Sequence, residues 1–365
     1  MADIESMQLS RRSFLGLFGS GAVALGLGLA GCGASTGKGG AATAGSASAE
    51  SIDKLTMVWL PNESSSEFDK GREEFGRVLE KYAGVKVELM TTTDYNVAIE
   101  AIASGKAQLA NMGAEGFIQA QKKNSKVKPL VTTSDPDGKL DGAKYFSRIC
   151  VPADQMDAYK DDADETGYSI KNIKGKRMSF VSATSTSGFK VPCNAIMKEF
   201  PDEVKSSDEL TTSGFFSQVL FGNSHPGSAV NLLQGDADIA AFDDVDVDTY
   251  LEVPAGERDA VNKAGNVYSV KADAAQPFDR VQGKQFGIIQ STPVLNGPIA
   301  VNTEKVPQEI IDKLVRGLTS SKTAKDELLF APEDQENTGA VWNKGDTAGF
   351  IEVEDSWYDP IRELA

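Results

Sequence analysis

Two segments of this chain repeat one another across 130 residues. "AIEAIASGKAQLA" (98–110) superposes on "SAVNLLQGDADIA" (228–240), so that Gly105 meets Gly235. Each segment has an apolar helical face, then a glycine, then x-Ala-x-(Leu/Ile)-Ala. A glycine at that place ends a helix in the left-handed conformation. The short apolar run behind it reads as a buried strand. Amphipathic helices resemble one another by chance, but the glycine and the following strand do not easily arrive together that way. The repeat therefore predicts two related α/β lobes. Carried upstream, the same offset sets Tyr95 opposite His225, each at the start of its helix.

The surrounding chain agrees. Leu55 to Leu60 reads as a strand, and Phe68, Phe75, Val78, Leu79 and Tyr82 share one helical face ending at Gly84. Val85 to Met90 is the next strand, a helix runs from about Asp94 to Ser104, and Ala107 to Met112 is a third strand. The order recurs with a strand over Arg177–Ser182, a helix over Gly188–Phe200, a strand around Val219, a helix over His225–Gln234 and a strand over Ala237–Phe242. Such alternation implies a mainly parallel sheet flanked by helices in each lobe. Ligands of open α/β sheets bind beyond the carboxyl ends of the strands. Tyr95, His225 and the turn Ser185-Thr186-Ser187-Gly188 all stand at such junctions, where a cleft between lobes would join them.

The amino terminus speaks to compartment. Ser10-Arg11-Arg12-Ser13-Phe14-Leu15 has the form of a twin-arginine export signal. An apolar, Gly-rich run to Gly31 follows, closed by Leu29-Ala30-Gly31-Cys32. That sequence is similar to a lipobox, which would make Cys32 the lipidated first residue of the mature protein. The rival, an arginine pair before a buried helix, does not account for three pieces in the right order. Residues 33–51 are almost all Gly, Ala, Ser and Thr and read as a flexible tether. The expected location is the outer face of the cytoplasmic membrane, held by the lipid. A net charge of -16 argues against nucleic acid and against anionic lipid as partners. Cys150 and Cys193 remain, as a disulfide or as two buried thiols.

The chemistry-bearing motifs each have a bland rival. In "ATSTSGFK" (183–190) four hydroxyls precede a glycine and a helix. Free N–H groups and the dipole at a helix start favour an anion, and hydroxyls add donors. An ordinary N-cap needs only one of them. His225, the only histidine, could donate to an oxyanion, or could be a surface residue. Asp243-Asp244-Val245-Asp246-Val247-Asp248 resembles a calcium loop poorly. Counting from Asp244, Thr249 stands where the turn glycine belongs and Ala255 where the final Glu belongs. A solvated helix start is the alternative, with Asp243 facing the cleft. A hydrolase using Ser185 or Ser187 with His225 lacks a G-x-S-x-G elbow. No phosphate loop of Walker spacing is present.

Together these residues resemble the substrate-binding proteins of ABC importers for phosphonate, phosphite or phosphate. The likeness runs from about Leu55 to Leu364. It is carried by "TDYNVAIEAIASGKAQLANMG", by Ile173-Lys174-Gly175-Lys176-Arg177 through Ser185-Thr186-Ser187-Gly188-Phe189-Lys190-Val191-Pro192, by Gly222-Asn223-Ser224-His225, and by Ser291-Thr292-Pro293 through Pro298-Ile299-Ala300-Val301. The resemblance implies a two-lobed, hinge-bending fold of the type II periplasmic-binding-protein kind. The first lobe would be 52–149 plus 293–365 and the second 150–292. It further implies a monomer that captures a small phosphorus oxyanion and delivers it to an ABC permease, with no catalysis, cofactor or metal. Tyr95, His225, Ser185, Thr186 and Ser187 would hold the oxyanion. Where the family has G-P-x-S-Y, this chain has Gly113-Ala114-Glu115-Gly116-Phe117. Phe117 replaces a ligand-contacting tyrosine, so Phe117 and Glu115 are expected to read the ligand's substituent. The rivals are the same fold binding a sulfonate, a sensor docking to a membrane receptor, and a secreted Ser/His hydrolase.

Overall fold

A computed structural model describes residues 52–64, 66–254, 256–332 and 339–364. Arg11, Arg12, Cys32 and the tether lie outside the described residues.

The first half of the chain runs β1 (Lys54–Val58), α1 (Asp69–Ala83), β2 (Lys86–Met90), α2 (Tyr95–Ser104), β3 (Leu109–Asn111), α3 (Ala114–Lys123) and β4 (Val127–Thr133). It continues with β5 (Lys144–Pro152), β6 (Arg177–Phe180), α4 (Val191–Glu199), β7 (Gln218–Phe221), α5 (His225–Gln234) and β8 (Ile239–Asp243). After these come β9 (Leu251–Glu252), α6 (Arg258–Val261), β10 (Val267–Val270), β11 (Gln285–Leu295) and β12 (Pro298–Asn302). The chain closes with α7 (Gln308–Leu318), β13 (Phe330–Ala331), β14 (Trp342–Asn343) and β15 (Phe350–Glu352).

Two open sheets result. One has the order β15-β4-β12-β3-β1-β2 and the other β7-β6-β8-β5-β11-β10-β9. The repeat is visible in the pairing. β1 lies parallel between β2 and β3, and β6 lies parallel between β7 and β8. The remaining strands of these two sheets join antiparallel, so each is mixed, while β13 and β14 form a separate parallel pair. β5 and β11 pair from Phe286↔Pro152 to Leu295↔Lys144, with a bulge between Ile288 and Gln290. Both therefore belong to the second sheet throughout. The divisions read from sequence at 149/150 and 292/293 fall inside these strands rather than at their ends.

Alternate residues of a strand face opposite sides, and both sides of each sheet are covered. Leu55, Met57 and Trp59 of β1 and its end pack with Phe75 and Leu79 of α1, whereas Val58 and Leu60 pack with α2 and α3. In the second lobe Ile239 and Ala241 pack with Ile196 of α4, while Ala240 and Phe242 pack with Leu232 of α5. Cys150 and Cys193 are free, buried thiols in different clusters, which resolves the open pairing.

The lobes touch along the cleft. Val181 and Val191 of the second lobe sit in the same cluster as α3. The Glu115 amide donates to Thr186 Oγ1 at 2.9 Å. Arg258 of α6 pairs with Asp244 at 2.9 Å and with Asp346, from the first lobe's closing segment, at 3.2 Å.

Behind the cleft one arginine is fully enclosed. Arg148 on β5 is 0% exposed, donates from two nitrogens to Asp248 and from Nε to Asn262 at 2.7 Å, and lies 4.8 Å from the Tyr268 ring centroid. Burying a charge is tolerable only when it is paired and hydrogen-bonded. Arg148→Met is expected to cost about 3 kcal/mol in denaturant unfolding, the low end for breaking a buried pair because Asp248 keeps some water contact. The double variant Arg148→Met/Asp248→Leu should regain most of that loss. A single variant as stable as the parent would mean the pair is not a structural requirement.

Candidate functional site

The repeat builds two matching helix starts. Asp94 caps α2 by accepting from the Asn96 amide at 2.6 Å, and Ser224 caps α5 by accepting from the Gly227 amide at 3.0 Å. Gly105 and Gly235 end those helices at φ 80° and 86°, the left-handed region that glycine enters without strain. Tyr95 and His225 are the first residues of α2 and α5, and both face one cavity of about 140 Å³. An engineered apolar cavity of about 150 Å³ takes up benzene, so this space suits a small molecule.

Asn62, on the turn after β1, ties the two starts together. It donates to the Tyr95 hydroxyl at 2.9 Å, and its Oδ1 accepts from the His225 amide at 3.2 Å. In the doubled topology Asn62 and Glu63 follow β1 as Ser185–Ser187 follow β6. The site is thus built from the same two junctions of each lobe.

The hydroxyl turn is both a cap and a wall. Ser185 Oγ accepts from the Gly188 amide at 3.1 Å, capping the π-helical turn Thr186–Lys190 that leads into α4. Ser187 donates to Asp243 Oδ2 at 3.2 Å. Ser185, Thr186 and Ser187 are all buried and all line the cavity. Gly188 is required for steric reasons, since a Cβ there would lie 2.2 Å from Val181 Cγ2.

His225 decides the chemistry. The Asp243 amide donates to Nδ1 at 2.9 Å, so the neutral ring must carry its proton on Nε2. Nε2 lies 3.2 Å from Asp243 Oδ2 and 3.4 Å from Ser185 Oγ. Burial pushes the pKa of His225 down to about 3, which keeps the ring neutral. The imidazole is therefore a neutral donor at the cavity wall, its Nε2–H shared between Asp243 Oδ2 and Ser185 Oγ. It cannot take a proton from Ser185, so the hydrolase reading has no general base. His225, Asp243 and Asp246 place donor atoms within 4.8 Å of one another, but a protonated Nε2 has no lone pair for a metal. The other two acids of the 243–248 run turn elsewhere, Asp244 to Arg258 and Asp248 to Arg148.

Three carboxyls face the cavity: Glu63, Asp243 and Asp246. Burial raises Glu63 to about 7, against the pull of its hydrogen bonds and of Arg72. Burial, then the charge of Asp244, lifts Asp243 well above the usual range, and burial with the charges of Asp243 and Glu63 does the same to Asp246. Asp244 ends lower than usual because Arg258 and Arg148 outweigh its burial. No lysine or arginine is among the lining residues.

Phe117 and Glu115 do not face this space. Phe117 is enclosed in the first lobe's core against Tyr358, ring centroids 5.3 Å apart, and Glu115 accepts from Gln119 within α3. The turn of α3 points Phe117 at the sheet, and Met112 and Gly113, before the helix, form the wall. Asn62, Glu63 and Tyr145 line the cavity without having been singled out from sequence, and Asp246, named there only within the acidic run, lines it too. Only the pairing of the β1 and β6 junctions could have pointed to Asn62 and Glu63.

Residues 57–358 match the family of periplasmic substrate-binding proteins of phosphonate ABC transporters. The chain belongs to this family. Its members are binding proteins for transport. The phosphate-import protein PhnD of Mycolicibacterium smegmatis is 30% identical over 200 residues, 54% of this chain and 58% of that protein. The chain thus matches less than two thirds of that relative's length. Among solved structures, PhnD1 from Prochlorococcus marinus, in complex with methylphosphonate, superposes with a TM-score of 0.61 at 15% identity, covering 86% of this chain and 97% of that one. A binding protein component of an ABC phosphonate transporter from Pseudomonas aeruginosa gives 0.57 at 18% identity, covering 85% of each chain. These likenesses establish the type II binding-protein fold.

As the family's cleft is arranged here, the donor on Nε2 is directly observable, because His225 is the only histidine. Nitrogen NMR is expected to show one neutral Nε2–H tautomer from about pH 8 to about pH 4.5, well above its lowered pKa. Between about pH 6.5 and about 3 the unfolded chain binds a proton that the folded one refuses, so this residue's contribution falls with pH across that window. A titration centred near 6.5 would contradict a buried donor.

Proposed function

We propose that this protein captures a small phosphorus oxyanion, a phosphonate, phosphite or phosphate, between its lobes and passes it to an ABC permease. The observation that carries this reading is the wall of neutral donors contributed by both lobes. Ser185, Ser187, Tyr95, Tyr145 and the Nε2–H of His225 all line one cavity at a helix start, with Ser187 and His225 resting on Asp243 and Tyr95 on Asn62 until a stronger acceptor enters. Hydrogen bonds to an ionised acceptor are about twice as strong as neutral ones, and burial strengthens them further. A phosphate-like group fits that pattern. The relative named for phosphate import and the fold neighbour holding methylphosphonate support the same class.

Contacts between lobes suit capture by closure. The Asn62–His225 and Glu115–Thr186 hydrogen bonds form across the cleft and would shut the ligand away from water. A wall without a fixed cation favours eventual release. The mature protein would act as a monomer on the outer face of the cytoplasmic membrane, anchored through a lipid on Cys32. No helix among the described residues is long and apolar enough to cross a membrane.

Ligand screening tests the reading. At a hundred times its Kd a true ligand adds about 2.7 kcal/mol of stability, several degrees in Tm. Methylphosphonate, phosphite or phosphate should give that rise, and His225→Ala should weaken binding by about tenfold or more. A screen in which only sulfonates stabilise the protein would favour the sulfonate reading instead. Cys32→Ser should move the exported protein from the membrane fraction to the soluble one; unchanged fractionation would remove the anchor.

A further inference from the structure

Two helices that begin at the cleft have amides of their first turn satisfied from the opposite lobe. Gly113 stands at the cap of α3 and offers it no side chain. The Glu115 amide, one of the free N–H groups of that helix start, donates instead to Thr186 Oγ1 of the second lobe at 2.9 Å. In return, the His225 amide at the start of α5 donates to Asn62 Oδ1 of the first lobe at 3.2 Å. All four residues are buried. Gly113 is explained by this arrangement and not by its own backbone, since its φ of -67° and ψ of 160° are open to any residue. A Cβ there would meet Thr186, 2.8 Å from Oγ1 and 3.8 Å from Cβ, and no other described residue outside its own turn. A serine or aspartate, the usual cap, would fill the place that Thr186 takes. The first lobe thus leaves α3 uncapped, and the second lobe supplies the missing group when the two meet.

We propose that these reciprocal caps are the clasp through which a bound ligand closes the lobes, Thr186 serving α3 and Asn62 serving α5. The proposal rests on the oxyanion reading of the cleft and adds how binding there becomes closure. The Thr186 hydroxyl lines the cavity and accepts from the Glu115 amide, and its own proton has no acceptor among the described residues. An oxyanion that accepts that proton makes Oγ1 a better acceptor in turn, because hydrogen bonds in a chain polarise one another. Asn62 Oδ1 is shared between the Tyr95 hydroxyl, at 3.0 Å, and the His225 amide. An oxyanion that draws the Tyr95 proton to itself leaves Oδ1 to the amide alone. In both arms the ligand engages a hydroxyl proton of one lobe, and an acceptor of that lobe then holds a helix start of the other. Thr186 and Asn62 are thus positioning residues for closure, beyond any contact they make with the ligand.

Amide hydrogen exchange of the mature protein, resolved at Glu115 and His225, tests the clasp. In the parent, saturating methylphosphonate is expected to slow both amides by about tenfold or more. Thr186→Val keeps the side chain's shape but removes the acceptor, so its Glu115 amide should exchange about fivefold faster or more than the parent's. Thr186→Ser should restore the slow rate. Gly113→Ala removes no hydrogen-bonding side chain, yet it should speed the same amide and raise the dissociation rate of methylphosphonate by about fivefold. Should Thr186→Val fail to fold, Gly113→Ala and the parent's response to ligand decide. An unchanged Glu115 rate in Thr186→Val or in Gly113→Ala overturns the clasp. So does a parent that binds methylphosphonate in calorimetry without slowing either amide. Absence of binding by methylphosphonate, phosphite and phosphate alike overturns the oxyanion reading, and the ligand's control of the clasp with it.

Discussion

The amide of Asp243 donates to His225 Nδ1, and because an imidazole nitrogen cannot both accept there and hold a proton, Nε2 must be the donor. The site's chemistry descends from that bond. A ring oriented by a carboxylate would be poised to gain a proton and act as a base. Here a backbone N–H stands in that place and opposes protonation, and burial opposes it further. The same strand end supplies the amide that orients the ring and the carboxyl that accepts from Ser187. β8 therefore fixes a histidine and a hydroxyl at once, both as neutral groups. Neutral groups can be desolvated on closure at far smaller cost than fixed charges.

That choice reconciles the cleft with a chain of net charge -16. A Debye length of about 8 Å screens distant exposed acids under physiological salt. What an enclosed anion feels is local: donors at a helix start on one side, buried carboxyls on the other. The carboxyls would be repulsive if ionised, but burial and mutual repulsion push them toward the protonated form. The cavity thus controls charge by sharing protons rather than by placing a cation in its wall.

Much of this was legible in sequence because it is set locally. Helix starts and stops depend on a capping side chain and a glycine within a few residues. The repeat therefore carried Tyr95 and His225 correctly to matching helix starts, and the hydroxyl turn to a strand end. The partners were less legible. The equivalence of Asn62 and Glu63 to the Ser185–Ser187 turn was hidden because the stretches between matching strands differ in length, so one constant offset loses it. Glu115 and Phe117 drew attention as departures from a motif, but which way α3 faces depends on its packing against Tyr358, more than 200 residues away. Asp246 and Asp244 are near neighbours in sequence with opposite pKa shifts, and the arrival of Arg258 and Arg148 beside Asp244 separates them.

The acidic run 243–248 gathers these threads. Read as a calcium loop it fails, since only Asp243 and Asp246 approach one another while Asp244 and Asp248 turn to arginines. Their divergence is what gives it use. Asp243 accepts from the hydroxyl turn and from His225, Asp244 engages Arg258, Asp246 opens into the cavity, and Asp248 takes the buried Arg148. Arg258 also reaches Asp346 in the first lobe, so Asp244, the residue after Asp243, shares a cation with the opposite side of the cleft. Separating the lobes would remove one of that arginine's two carboxylates. The seating of His225 and the apposition of the lobes thus meet in adjacent residues of one strand end, Asp243 holding the ring and Asp244 the shared arginine.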